Sequence, residues 1–420
     1  MLLSMDSTTK LFRLAVAVIG LHVLDDNFVQ PEAGTSAGDH LVSGLLPLAL
    51  LALAAWGFPR LSGFARGALA LLLGPLGIAA GIEALHYANQ VGPSGDDFTG
   101  FLTLPAGVLL IGLGAVTLWR TRRTEGNHAW RYTRRGFLGL AVVVAAYLLI
   151  FPIGFAYVTT HTARAVVPDN TLGASSENVS FETSDGLTLR GWYVPSKNGA
   201  AVISFPGRKG SQKPARMLAR HGYGVLVFDR RGEGVSDGEP NSFGWSGDRD
   251  AKAAVDYLQT RSDVDPGRIG AIGQSVGGEM LIEAAAEDRD LRAIVSDGAG
   301  ARAYSDSMDE LDYAKGTDPI SELLYSANSA VRVGALSVLT NQSPPANLKS
   351  LIGRIAPRPV MLIGAPNSKH GEELNRDYYA AAQEPKTLWE IPEASHVGGI
   401  DARPAQYERR VVAFFDDALL

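Results

Sequence analysis

Ser275 stands in Gly273-Gln274-Ser275-Val276-Gly277-Gly278, and this G-x-S-x-G spacing can support nucleophilic chemistry. A serine hydroxyl becomes a useful nucleophile when a neighbouring base takes its proton and donors await the charge that develops on the attacked carbonyl. The pentapeptide lies between a short apolar run, Ile269–Ile272, and a helical stretch that begins at Gly278. In that setting it reads as a nucleophile elbow, whose strained turn lifts the hydroxyl clear of the scaffold while the flanking glycines avoid a Cβ clash. Glycine and serine are also common in ordinary turns; the strand-then-helix setting favours the nucleophile.

The candidate base is His396, in Glu393-Ala394-Ser395-His396-Val397-Gly398-Gly399. It follows the last short strand and precedes the last helix. His221 falls at a helix C-terminus, where a cation is favoured for structural reasons alone. His370 lies in the loop after Ile363, and His161 in a polar linker. An oxyanion would draw on the N–H of Val276, directly after the nucleophile, and on a second amide from the loop after Ala200–Phe205. Arg208, following Pro206-Gly207, is the expected second donor, unless that loop is a plain turn.

These residues need a scaffold, and the pattern supplies one. Val179–Thr183 and Leu187–Val194 alternate apolar and polar residues around Asp185-Gly186, the signal of a β-hairpin. Ala200–Phe205, Gly224–Phe228, Ile269–Ile272, Ala293–Ser296, Val360–Ile363 and Thr387–Ile391 read as short strands. Helical stretches at Pro214–His221, Asp248–Arg261, Gly278–Glu287, Glu372–Ala382 and Tyr407–Asp416 fall among or after them. Strand–helix alternation predicts a mostly parallel sheet with helices on both faces and a site at the C-terminal strand ends. Gly298–Pro357 is too long for a plain connection and is expected to form a small helical cap, around 298–357.

The first part of the chain differs in kind. Leu41–Phe58, Phe98–Trp119 and Gly136–Thr160 carry no charge, and Gly67–Ile82 can extend through Glu83 toward Tyr87. Lys10–Phe28 is the least apolar of the five. A bilayer core of ~30 Å needs about 20 helical residues, so the pattern predicts an all-α domain of about five transmembrane helices. Lys10, Arg13, Arg60, Arg66, Arg120, Arg122, Arg123, Arg131, Arg134 and Arg135 fall on alternate sides from the Arg-free loops Asp25–His40 and His86–Thr99. Basic loops stay cytoplasmic, so everything after the fifth span is expected outside, in a multi-pass protein of the cell membrane. If the first segment were a cleaved signal peptide, four spans would remain and the later part would still be outside. His22, Asp25 and Asp26, and Glu83 and His86, recur near outer span ends, where they are either hydrated at the interface or a proton or metal site.

The stretch from Val179 to Leu420 resembles the α/β-hydrolase superfamily, especially its dienelactone-hydrolase-like and acyl-transferase/peptidase-like branches. The resemblance rests on Thr183-Ser184-Asp185-Gly186, Gly191-Trp192-Tyr193-Val194-Pro195, the Asp229-to-Ser236 loop, the elbow at Ser275 and Ser395-His396. It implies an acyl-enzyme on Ser275, His396 as general base and an acid between them in chain order. Two positions depart from the pattern: Pro206 stands where many members have His, and Asn367 where the family usually has its Asp. A neutral amide cannot stabilise an imidazolium, so the nearest carboxylates, Glu373 first and Glu372 second, are expected to serve, with Asp297 behind them.

The chain then divides into a membrane domain (1–162), a linker (163–178) and a hydrolase domain (179–420). The expected activity is hydrolysis of an ester, thioester or amide, with esterase chemistry ahead of peptidase chemistry. An acyltransferase, or a transport or receptor-like protein with a degenerate hydrolase domain, are the alternatives. No cofactor and no metal are expected. The net charge of −6 and the absence of cysteine give no footprint for nucleic acid and no thiolate chemistry. A small-molecule or lipid-like acyl substrate and the bilayer are the expected partners.

Overall fold

The computed structural model describes residues 5–30, 41–91, 95, 97–121, 128–160, 172–205, 207–208, 210–238, 243–313, 318–368 and 372–420. Most of the linker, Arg122 and Arg123, His161, Pro206, His370, part of the loops 25–40 and 86–99, and residues 314–317 of the expected cap lie outside the described residues. The chain separates into two compact units, Met1–Ala163 with Val338–Asn341, and Arg164–Ser337 with Gln342–Leu420.

The first unit is helical: α1 (Met5–Leu24), α2 (Leu41–Gly57), α3 (Gly63–Val91), α4 (Asp97–Arg120), α5 (His128–Ala145) and α6 (Phe151–Thr160). A π-helical turn, Asp25–Val29, extends α1, and another, Ala146–Ile150, joins α5 to α6. Four stretches, Asp6–Val29, Gly63–Leu85, Asp97–Arg120 and Gly136–Tyr157, are long and apolar enough to cross a membrane; Gly44–Arg60 is a shorter apolar helix. The sequence ranks these differently, because it reads Leu41–Phe58 as a clear span and Lys10–Phe28 as the weakest. The π-helical turn Asp25–Val29 carries the first stretch to 24 residues, while Gly44–Arg60 already includes the 3₁₀ step Phe58–Arg60. Helices α3 and α4 approach through small residues, so closely that a Cβ on Gly107 would lie 2.5 Å from the Gly74 carbonyl oxygen. Small residues let the backbones of two apolar helices approach this closely.

The second unit is built on an eight-stranded sheet: β1 (Glu177–Glu182), β2 (Thr188–Val194), β3 (Ala201–Phe205), β4 (Gly224–Asp229), β5 (Ile269–Gln274), β6 (Ala293–Asp297), β7 (Val360–Gly364) and β8 (Lys386–Glu390). The order is β1-β2-β4-β3-β5-β6-β7-β8. Only the pairs that involve β2 are antiparallel; β3 to β8 run parallel. The helices are α7 (Lys213–Arg220), α8 (Gly247–Gln259), α9 (Val276–Glu287), α10 (Tyr304–Tyr313), α11 (Pro319–Thr340), α12 (Leu348–Ile352), α13 (Leu374–Ala381), α14 (Gly399–Ala402) and α15 (Pro404–Leu419). Alternation along each strand divides the core in two. Ala201, Ile203, Leu226 and Phe228 pack toward α8, α9, α12 and α13, while Val202, Val225 and Val227 pack toward α7 and α15. Burial on both faces is why the central strands read as unbroken apolar runs. Helices α10, α11 and α12 all lie in the segment between β6 and β7.

Candidate active site

The end of β5 and the start of α9 leave a single residue, Ser275, to make the turn, and it does so at φ 54° and ψ −125°. Positive φ is costly for a residue with a Cβ and persists only where the surroundings enforce it. Here the Ser275 N–H donates to the Asp297 carbonyl on β6 at 2.8 Å, and the Gly278 N–H donates back to the Ser275 carbonyl at 2.8 Å. Gly277 lies so close to β3 that a Cβ there would stand 2.6 Å from Cβ of Phe205. The glycine of the motif is therefore a packing requirement as well as a turn signal.

His396 comes from the loop between β8 and α14. Its Nε2 lies 2.9 Å from Ser275 Oγ, and its Nδ1 lies 2.7 Å from Glu372 Oε1. An ionised carboxylate can only accept, so Nδ1 carries the proton and Nε2 is free to accept from the hydroxyl. Glu372 has a fully buried side chain. Its carboxylate also accepts from the Ala365 N–H, from Ser368 Oγ–H at 3.1 Å and from the Val397 N–H at 3.3 Å. Burial alone pushes the Glu372 carboxyl up, but the bond with His396, the Ala365 amide and the Ser368 hydroxyl together hold it below the usual range. His396 is correspondingly raised, chiefly by its hydrogen bond to Glu372 and against the effect of its own burial.

The structure brings Ser275, His396 and Glu372 together, and it does not bring Glu373 to His396. Glu373 is half-buried at the N-terminal boundary of α13. The chain folds back after β7 so that Glu372 reaches the Ala365 amide, which turns the earlier of the two acids inward. Asn367 is exposed, and its side-chain amide donates to the Pro392 carbonyl at 3.0 Å. Asp297, at the end of β6, is buried, and its Oδ2 accepts from the Tyr407 hydroxyl at 2.8 Å.

Of the two expected oxyanion donors, Val276 is the first residue of α9, where N–H groups have no acceptor within the helix. Arg208 is differently placed. Its backbone N–H donates to Asp229 Oδ1 at 2.9 Å, and its Nε donates to Asp229 Oδ2 at 2.9 Å. Both residues are buried, so an oxyanion would have to compete with a carboxylate already holding that amide. The rest of the Asp229–Ser236 loop is fixed in the same way: Arg231 Nε donates to Asp250 at 2.7 Å and its Nη1 to Asp185 at 2.8 Å. Sequence reasoning missed Gln274 and Tyr407 as neighbours of the site. Gln274 stands in the motif itself, whereas Tyr407 gave no signal beyond an apolar helix position.

In the first unit, His22 Nδ1 lies 3.2 Å from Thr99 Oγ1, the Thr99 hydroxyl donates to Asp25 Oδ2 at 2.8 Å, and Gln30 donates to Asp25 Oδ1 at 3.0 Å. His22 and Asp25 are buried; Glu83 is half-buried, and the side chain of His86 lies outside the described residues. Among the described residues, no group of three or more His, Asp or Glu is arranged to hold a metal ion.

The fold and site define a class, and comparison with known proteins agrees with it. The family model of X-Pro dipeptidyl-peptidase (S15 family) matches residues 160–349, a stretch that contains Ser275 and ends before Glu372 and His396. The esterase Pf2001 of Pyrococcus furiosus superposes with a TM-score of 0.50 at 23% identity, covering 62% of this chain and 99% of the esterase. The second unit has the α/β-hydrolase fold. An uncharacterized protein of Salmonella typhi, YfhR, is 27% identical over 317 residues, covering 70% of this chain and 98% of its own length. A polyketide transferase of a Penicillium species, grgF, is 36% identical over 132 residues, covering 28% of this chain and 43% of the transferase.

Proposed function

We propose that the protein is a membrane-anchored serine hydrolase that cleaves an ester or thioester, ahead of an amide, through an acyl-enzyme on Ser275. The observation that carries the reading is the continuous relay from Ser275 Oγ through His396 to Glu372, at 2.9 and 2.7 Å. In the first half-reaction, Ser275 Oγ attacks the carbonyl carbon while its proton passes to His396 Nε2. Glu372 stabilises the resulting imidazolium and fixes its orientation. The charge on the carbonyl oxygen develops toward the Val276 N–H and the N-terminus of α9, where the helix dipole favours an anion. Collapse expels the alcohol, thiol or amine, protonated by His396. Water, deprotonated by the same histidine, then releases the acid and restores the serine.

A second reading keeps the nucleophile and replaces water by another acceptor, giving an acyltransferase. The similarity of a 132-residue stretch to a polyketide transferase favours it. In either case α10 and α11, inserted between β6 and β7, serve as the cap that selects the acyl group. The apolar helices of the first unit anchor the chain. In an 18-residue window of Gly136–Tyr157 only 6% of the residues are buried within the molecule, and Phe137 and Phe151 are exposed to 69% and 63%. Side chains of that kind call for lipid around them. Five crossings, with α2 as the short one, leave the hydrolase domain on the outer side of the membrane. The test is labelling of the full chain in membranes by a fluorophosphonate, followed by an ester, thioester and peptide panel with and without alcohol acceptors. Failure of Ser275 to react would reduce the domain to a binding module.

A further inference from the structure

We propose that Asp297 is a positioning residue for the same reaction: a second buried carboxyl, one strand over from Glu372, that holds the nucleophile turn through its backbone and sets the basicity of His396 through its charge. The inference rests on reading Ser275, His396 and Glu372 as the reacting triad.

Strands β5, β6 and β7 are neighbours in register, with Asp297 opposite Gln274 on one side and Ile363 on the other. Its main chain is used twice at the site. The Asp297 carbonyl accepts from the Ser275 N–H at 2.8 Å, and the next residue, Gly298, donates to the Ile363 carbonyl at 2.8 Å. The side chain, 1% exposed, points to Tyr407 of α15, whose hydroxyl donates at 2.8 Å. The Gln274 amide lies between Asp297 Oδ2 at 3.5 Å and the Val397 carbonyl at 3.4 Å, so one side chain spans from Asp297 to the loop that carries His396.

An asparagine could accept the same two hydrogen bonds without the cost of burying an ionisable group. The carboxyl adds charge, and its surroundings keep that charge adjustable. Burial first, then the neighbouring Glu372 carboxylate, push Asp297 up to about 7, while Tyr407, Gln274 and His396 act in the opposite sense. Tyr407 stays a phenol, because burial and the Asp297 carboxylate push its own ionisation well above the usual value. The ionisable groups facing Asp297 are thus Tyr407 from α15, Glu372 from the segment after β7, and His396 from the segment after β8. Ionised Asp297 raises His396 in its turn, along with Glu372. Both groups gain or lose protons over the range in which His396 must be neutral to act, so the acid side of the pH profile belongs to a coupled pair.

The test uses the full-length protein in detergent and the rate of fluorophosphonate labelling between pH 5 and 9. Labelling forms a bond from Ser275 Oγ to phosphorus, expels fluoride and passes the hydroxyl proton to His396, so it reports the base without a known substrate. In Asp297→Asn the midpoint of the acid limb should fall by about one unit, the lower end of the range expected from removing one nearby opposite charge. The limb should also sharpen to a single-proton transition. A change in rate with midpoint and shape unmoved would show a structural role and overturn the inference. If Asp297→Asn does not fold, Tyr407→Phe serves. Loss of the phenol donor leaves the carboxyl neutral to higher pH, so the midpoint should fall in the same direction by less, and an unmoved midpoint overturns the inference. Wild-type protein that fails to label at Ser275 would overturn the triad reading and this inference with it. Labelled wild type with a profile matching Asp297→Asn overturns this inference alone.

Discussion

Replacing Glu372 by glutamine tests the relay at its most exacting point. The side chain is fully buried and receives His396 Nδ1, the Ala365 amide and the Ser368 hydroxyl. Glutamine preserves the shape but offers one oxygen where four donors, the Val397 N–H included, converge on two. If its oxygen stays with the Ala365 amide, its NH₂ faces the His396 Nδ1–H; the imidazole must then shed that proton and take the tautomer in which Nε2 is no longer a base. The imidazolium also loses its counter-charge. Loss of an orienting carboxylate in such a triad lowers the rate by ~10²–10⁴, or about 3–5 kcal/mol of transition-state stabilisation. Because the bond to Glu372 is the largest contribution raising His396, the acid-limb midpoint of kcat/KM should fall as well. The assay is hydrolysis of a p-nitrophenyl ester across pH 5–9, with Glu373→Gln as the matched control, expected within twofold of wild type. Glu372→Gln within threefold of wild type at every pH, or a larger loss in Glu373→Gln, would refute the assignment.

Ser275→Ala should abolish both turnover and fluorophosphonate labelling, and His396→Ala added to it should cost nothing further, since the two act as a unit; residual labelling at another residue would expose a different nucleophile. Gly277→Ala drives a methyl into Phe205, and a lowered melting temperature, equivalent to about 1–3 kcal/mol, is expected alongside lost activity; an unchanged melt would mean the elbow is more pliant than its packing implies. A reporter active only in the cytoplasm, fused after Leu420, should be silent, and a strong signal would reverse the orientation. Asp297 titrates near 7 in the fold against about 3.9 in a free chain. Its contribution to stability is therefore full below the lower value and lost as pH rises through 7. Wild type should lose ground to Asp297→Asn between pH 4 and 8 in thermal melts; a constant gap would show that the buried carboxyl does not change its protonation.

The central strands were legible because each reads as a short apolar run closed by a turn residue, the first two because they alternate around Asp185-Gly186, and the elbow because its glycines answer a packing demand that few other residues meet. His396 could be named from its place after the last strand. What the sequence could not settle is lateral. The choice between Glu372 and Glu373 depends on the Ala365 amide, which only the fold-back after β7 brings within reach. The Arg208 amide is held by Asp229, 21 positions away in sequence and adjacent only because β3 and β4 pair. Tyr407 reaches Asp297 across 110 positions, a distance no local pattern encodes. In the first unit, composition located the apolar helices, but the length of the first followed from a π-helical turn that hydropathy does not register.

The insertion between β6 and β7 has a consequence for how such a protein diversifies. Leu348, Leu351 and Ile352 of α12 belong to the core beneath the sheet, whereas no residue of α11 does. With Ala299 at its near end in the same core, the insertion is rooted at both ends and free of the main core along its longest helix. Residues there can drift, lengthen or be exchanged without disturbing the strand ends that hold the serine, the histidine and the acid. On the proposed reading, substitutions in α10 and α11 alter which acyl group is accepted while leaving the hydrolytic chemistry intact.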